Sequence, residues 1–276
     1  MPTASDPIAV FDSGVGGLTV LHELLVSLPQ EDFLYLGDTA RFPYGERTAE
    51  ELERFVVEIG TRLMRNGAKL LVIACNAATS AGMRSLEMLA ATGIDVIGVV
   101  NPESQLAAEA TRNGRIGLLA TRATVASGAY ERAVAAADPG VALTSVACPD
   151  LAPIIQQGFP FDQRVVETVR SYCGPLQEAE VDTVILGCTH YPLVRPMLQR
   201  MLGRDVQLVF SGPAIARRVE HTLALRGLLN DRAGEGSYTF ECTGDPDAFR
   251  ELGTRFLQMP LGEVRHVELS PEGALT

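Results

Sequence analysis

Two cysteines of this chain stand in matched settings. Lys69-Leu-Leu-Val-Ile-Ala-Cys75-Asn-Ala-Ala-Thr79 and Asp182-Thr-Val-Ile-Leu-Gly-Cys188-Thr-His190 each run from a short apolar strand into a cysteine, then into small or polar residues that start a helix. A thiol at such a junction is expected to feel the positive end of the helix dipole, which favours the thiolate and lowers the thiol pKa. A single buried cysteine is more often an apolar filler, but filling does not account for an echo. If the two segments belong to similar domains facing one cleft, their sulfurs approach a ligand from opposite sides. That arrangement suits racemisation of an α-carbon: one group removes a proton from one face while the other delivers a proton to the opposite face, and the roles exchange with the direction of turnover.

Neighbouring groups extend the pattern. Asp12-Ser13-Gly14-Val15-Gly16-Gly17 follows the first apolar strand and opens a helix, where free N–H groups favour an anion. The dinucleotide pattern needs glycine at position 19, which is Thr19, and no Gly-Lys-Ser/Thr of a P-loop follows; a small carboxylate ligand fits better than a nucleotide. Asp12 at the first site and His190, two residues after Cys188, are each placed to handle protons beside a thiol. Cys148, before Pro149 at a strand end, reads as structural, as do Cys173 and Cys242. His22 and His221 fall within helices and His266 within a strand, without metal-ligand spacing.

These side chains need a scaffold, and short β-branched runs alternating with helix-period segments supply one. Ile8 to Phe11, Phe33 to Leu36, Leu70 to Ala74, Val96 to Val100, Arg115 to Ala120, Val141 to Ala147, Thr183 to Leu186 and Gln207 to Phe210 read as buried strands. The fold class is α/β: two pseudo-symmetric parallel-sheet domains with the active site in the cleft between them. Thr48 and Glu51 form a capping box ahead of the apolar face Leu52, Phe55, Val56, Ile59 and Leu63. The chain is expected to cross at Asn101-Pro102 and to return near Val206 to Gly212, giving a first domain of residues 1–100 plus 208–276 and a second of 101–207. The last stretch, strand Tyr238 to Gly244, capped helix Asp245 to Leu257 and strand Glu263 to Leu269, is appended to the first domain.

Composition narrows the function classes. At 276 residues the chain has room for two domains with their own cores, and 46% hydrophobic against 21% charged residues excludes a disordered chain or a coiled coil. A net charge of −11 repels a polyanion, so nucleic acid is not the expected partner. Five cysteines without a Cys-x-x-Cys pair suggest neither a disulfide framework nor a zinc site. No signal or membrane-spanning pattern is read near Met1 to Phe11, and a cytoplasmic protein is expected.

With these residues in view, the sequence resembles the glutamate racemases, cofactor-independent enzymes of bacterial cell-wall synthesis. The segments that carry the resemblance are Ala9-Val-Phe-Asp12-Ser13-Gly-Val-Gly-Gly17-Leu-Thr, Tyr35-Leu-Gly-Asp38-Thr-Ala-Arg-Phe-Pro43-Tyr44-Gly45, Ile73-Ala-Cys75-Asn76 and Ile185-Leu-Gly-Cys188-Thr189-His190-Tyr-Pro192. The resemblance implies that Cys75 and Cys188 are the acid/base pair assisted by Asp12 and His190. It further implies that Asp12, Ser13, Pro43, Tyr44, Gly45, Asn76, Ala77, Thr121, Thr124, Thr189 and His190 hold glutamate, with no cofactor or metal, in a homodimer that supplies D-glutamate for peptidoglycan. Two departures stand out: Ala77 replaces a common threonine, leaving only its backbone N–H, and Pro153 and Gln156 occupy a segment where relatives often carry a carboxylate. Aspartate, hydantoins and maleate-like acids are the alternative substrates of the superfamily. Some family members bind DNA gyrase, a partner that no feature of this sequence supports.

Overall fold

Strands that are buried at every position, such as Ile8–Asp12 and Leu70–Ile73, satisfy that burial only between two layers of helices. The computed structural model, which describes residues 2–158 and 162–269, places them so. In chain order the strands are β1 (Ile8–Asp12), β2 (Phe33–Gly37), β3 (Leu70–Ile73), β4 (Asp95–Gly98), β5 (Arg115–Ala120), β6 (Ala142–Ala147), β7 (Thr183–Gly187), β8 (Gln207–Val209), β9 (Tyr238–Cys242) and β10 (Val264–His266). The α-helices are α1 (Leu18–Ser27), α2 (Ala49–Arg65), α3 (Asn76–Ala81), α4 (Met83–Ala90), α5 (Val100–Ala110), α6 (Arg122–Ala126), α7 (Ala129–Ala137), α8 (Leu151–Gln156), α9 (Gln163–Glu178), α10 (Arg195–Leu202), α11 (Ser211–Arg226) and α12 (Pro246–Leu257). Residues 270–276, expected to close the first domain, lie outside the described residues.

Two parallel sheets result, one ordered β10-β9-β2-β1-β3-β4 and the other β6-β5-β7-β8. The segment β2-β1-β3-β4 of the first repeats as β6-β5-β7-β8 in the second, so β1 corresponds to β5 and β3 to β7. In both sheets the strand order reverses beside the first strand, and ligands bind at the carboxyl edge of such a switch point. Asp12 ends β1 and Cys75 follows β3, while Thr121 follows β5 and Cys188 follows β7. The echo noticed between the two cysteine segments is therefore a repeat of fold position.

Local signals hold their elements. Thr48 Oγ1 accepts from the Glu51 amide at 3.2 Å and the Glu51 carboxylate accepts from the Thr48 amide at 3.0 Å, completing the capping box of α2. Asp245 caps α12 through the amides of Asp247 and Ala248.

Some boundaries differ from expectation. The strand read at Val96 to Val100 ends at Gly98, because Asn101-Pro102 sits in the first turn of α5, where proline is tolerated. The chain crosses back between β8, which pairs with β7 and so belongs to the four-stranded sheet, and α11, inside the expected window Val206 to Gly212 but beyond the expected domain limit at 208. The last strand is confined to Val264–His266 and, among the described residues, pairs only with β9 at the edge of the sheet.

Candidate active site

On the six-stranded side, Asp12 is fully buried beneath the loop Ser13–Gly17. One carboxylate oxygen accepts from the Gly14 amide at 2.9 Å and the other from Thr189 Oγ1, in the opposite half, at 3.2 Å. Glycine is required at position 17, where a Cβ would lie 2.5 Å from Asp12 Cβ. Cys75 is the N-cap of α3, and Asn76 and Ala77 follow it into the helix. The segment after β2 brings Phe42, Pro43, Tyr44 and Gly45 to the same edge. The Tyr44 hydroxyl donates to Asp38, whose other oxygen accepts from Thr243 Oγ1 at 2.7 Å.

On the four-stranded side, Thr121 caps α6, with its hydroxyl 3.0 Å from that of Thr124. Cys188 Sγ lies 3.9 Å from His190 Nδ1, and His190 Nε2 lies 2.9 Å from Gln156 Oε1. If Nε2 carries the hydrogen donated to Gln156, Nδ1 presents its lone pair to the Cys188 thiol. The imidazole packs against Phe42 and Phe256, both from the six-stranded side, at ring separations of 5.5 and 5.1 Å. Thr19 Oγ1 donates to the Thr189 carbonyl at 3.1 Å and further ties the halves together.

A cavity lies between the halves, lined by both thiols and by Ser13, Pro43, Tyr44, Gly45, Asn76, Ala77, Thr121, Thr189 and His190. Of the residues singled out in the sequence, Asp12 and Thr124 lie behind this wall, bonded to Thr189 and Thr121 respectively. Cys148 is buried with its thiol turned to the Val146 carbonyl. Sequence reasoning missed Phe42 and Phe256, which clasp His190, and Glu103 and Tyr130, which hold Asn76. Glu103 reads locally as an ordinary first-turn acid of α5, and nothing in the sequence marks it as buried.

The expectation of depressed thiol pKa values is corrected. Burial pushes Cys75 up to about 12, with the nearby Asp12 charge adding to the rise and the Ala78 amide and Ser13 opposing it. Burial also raises Cys188 well above its usual value, against a hydrogen bond from the His190 amide. Desolvation outweighs the dipole because α3 has only six residues, and Cys188 does not cap an α-helix at all: His190 caps a 3₁₀ turn, Tyr191–Val194, ahead of α10. Burial lowers His190 to about 4, so it is neutral at neutral pH.

Burial raises Asp12 to about 6, opposed by the Gly14 and Gly17 amides and by Thr189 and Ser13. The ionised carboxylate is the form able to accept a proton, so kcat/KM should fall below about pH 6 rather than below pH 4. A pH–rate profile checks this, and Asp12→Asn should remove that limb along with much of the activity.

Gly16 provides a second test of the closed arrangement. A Cβ there would stand 2.4 Å from Thr189 Oγ1 and 2.5 Å from His190 Nδ1. Gly16→Ala must displace the pair that bears on Cys188, and kcat should drop about 10²-fold, the order of loss for a roughly 1 Å misplacement of catalytic groups. Steady-state kinetics with the purified variant gives the answer.

Comparison with known proteins places this geometry. The family model described as Asp/Glu/Hydantoin racemase matches residues 20–219. The chain belongs to this family. A glutamate racemase of Mycobacterium tuberculosis is 44% identical over 265 residues, covering 96% of this chain and 97% of that protein. One from Corynebacterium kroppenstedtii is 39% identical over 283 residues, covering 96% and 98%. Among solved structures, a glutamate racemase isoform of Bacillus anthracis superposes with a TM-score of 0.91 at 37% identity, covering 96% of this chain and 98% of that one. A Francisella tularensis glutamate racemase in complex with D-glutamate gives 0.89 at 30% identity, covering 96% and 98%. The paired α/β halves are thus a shared feature of this racemase family. No helix among the described residues is long and apolar enough to cross a membrane.

Proposed function

We propose that this cleft interconverts L- and D-glutamate, with Cys75 and Cys188 exchanging the roles of base and acid. The observation that carries the reading is that the two thiols follow equivalent strands of two similar sheets and line one cavity from opposite halves. The family relationship favours glutamate as substrate and Cys75 as the thiol that deprotonates the D enantiomer, with Cys188 serving the L enantiomer.

Both thiols rest protonated, so the deprotonating one must first lose its proton. Asp12, whose charge bears on both sulfurs, is the acceptor on the Cys75 side, and the neutral imidazole of His190 is the acceptor on the Cys188 side. A substrate ammonium entering near Asp12 and Ser13 offsets the negative charge and eases thiolate formation. The thiolate then removes the α-proton while the opposite S–H donates to the other face, so one proton leaves the carbon and one arrives. Exclusion of water by the closed halves keeps the two protons from mixing. The product D-glutamate is supplied for peptidoglycan, and a homodimer forms part of the same reading, checked by sedimentation.

The test is circular dichroism of purified protein with L-glutamate and no added cofactor. The signal should decay to zero as the racemate forms. Activity lost on exhaustive dialysis and restored by a small cofactor would overturn the cofactor-free mechanism. Faster turnover of aspartate or a hydantoin in the same assay, or of a maleate-like acid followed by ultraviolet absorbance, would overturn the substrate assignment.

A further inference from the structure

The first turn of α5 carries a carboxylate with no access to solvent. Glu103 is completely buried, and it accepts hydrogen bonds from Asn76 Nδ2 at 3.0 Å, from the Tyr130 hydroxyl and from Ser211 Oγ. The Tyr130 oxygen also accepts from Asn76 Nδ2, at 2.7 Å. Four elements meet at this carboxylate. Glu103 stands on α5, where the chain enters the four-stranded half, and Ser211 opens α11, where it leaves; Tyr130 lies on α7, and Asn76 follows Cys75 into α3.

An ionised carboxylate has no hydrogen to give, and a hydroxyl that points its hydrogen at that carboxylate can only accept from a third group. Both partners of Asn76 therefore require the NH₂ end of its amide. The carbonyl end, Oδ1, is left buried without a hydrogen-bond partner among the described residues, on a side chain that lines the cavity between the thiols. A buried carbonyl oxygen without a donor is unfavourable, and the donor that the proposed substrate brings is its α-ammonium.

We infer that Glu103 is a positioning residue that fixes the Asn76 amide, so that Oδ1 is offered to the ammonium of the bound amino acid. The inference rests on the amino-acid substrate proposed above. Standing on α5 and bonded to Ser211 of α11, the same carboxylate ties that orientation to both chain crossings, and through Tyr130 to α7. Burial raises Glu103 to about 8 against its three donors, so the ionised, acceptor-only form prevails on the alkaline side. Tyr130, held well above its usual value by burial, remains a donor there.

The variants discriminate by which donors and acceptors they leave. Glu103→Leu frees the Tyr130 hydroxyl to donate to Asn76 Oδ1, which turns the acceptor away from the cavity. At about pH 9 its KM for both enantiomers should rise about tenfold, the scale of one charge-assisted hydrogen bond, with kcat within about twofold of wild type. Glu103→Gln can still present a carbonyl oxygen to Asn76 and its amide to Ser211, and should restore KM to within about threefold. In an Asn76→Ala background, Glu103→Leu should add no further rise. An unchanged KM in Glu103→Leu, a fall in kcat alone, no rescue by glutamine, or an equal rise in the Asn76→Ala background each overturns the inference.

The wild type carries its own check if Glu103→Leu does not fold. The Asn76 side-chain amide protons, assigned in NMR spectra by their loss in Asn76→Ala, should be protected from solvent exchange. Exchange as fast as that of a surface asparagine overturns the inference. This readout needs no substrate, so absence of glutamate turnover in wild type counts against the proposed function and leaves the role of Glu103 to be decided by the amide signal.

Discussion

Cys75→Ser and Cys188→Ser should each lower glutamate racemisation on the order of 10³-fold or more, the upper part of the range for losing a positioned acid/base group. Serine keeps the size of the side chain, but its hydroxyl is far harder to ionise in a site where even the thiols are pushed upward by burial. Each variant retains one working thiol and should retain one-sided chemistry. With a halogenated glutamate, the remaining thiolate can take the α-proton while halide leaves the β-carbon, which needs no acid on the opposite face. Cys188→Ser should eliminate from the D configuration and Cys75→Ser from the L configuration, read by halide release. Near wild-type racemisation by either variant would sink the two-thiol mechanism. Cys148→Ser is the control: its thiol lies outside the cavity wall, and the variant should stay active.

Lys69→Ala should destabilise the fold by roughly 3–5 kcal/mol, the cost of removing one partner from a buried ion pair. Lys69 Nζ is bonded to Glu31 Oε2 at 2.5 Å, to the Ala4 carbonyl at 2.6 Å and to the Leu228 carbonyl at 2.9 Å, with both charged side chains almost fully buried. Glu31 also accepts from the Asn230 amide at 2.9 Å. The pair thus fastens the N-terminal segment and the stretch after α11 to the base of β3, away from the cleft. Alanine leaves Glu31 charged and unpaired in an apolar setting. Urea unfolding monitored by circular dichroism measures the loss. The double variant Lys69→Met with Glu31→Leu should recover most of it, because no charge then remains to be desolvated. A Lys69→Ala protein as stable as wild type would mean that the pair adds nothing.

Much of the scaffold is legible residue by residue. The apolar runs that become β1 and β3, the Thr48–Glu51 capping box and the Asp245 cap depend on side chains close in sequence, acting on backbone groups within a turn. The repeat of strand, cysteine and small residues carried the pairing of Cys75 with Cys188, since a repeated local pattern implies a repeated unit. Tyr44-Gly45 and Thr189-His190 were likewise apparent as motif residues, and the cavity brings them together.

The electrostatic character of the site was decided elsewhere. From sequence alone the thiols were expected to be acidified by helix ends; in the folded chain desolvation dominates and raises both. Gln156 was visible only as a departure from relatives, whereas the fold brings it to His190 across 34 positions of chain. Glu103 meets Ser211 across 108 positions, and Lys69 meets Leu228 across 159. The sequence by itself determined the α/β class, the helix caps and the matched setting of Cys75 and Cys188, because periodicity, capping and repetition are properties of neighbouring residues. Only the tertiary structure decided which acids are buried, which amide orientation Asn76 adopts and how basic each thiol is, because desolvation and hydrogen-bond pairing depend on groups that folding alone brings into contact.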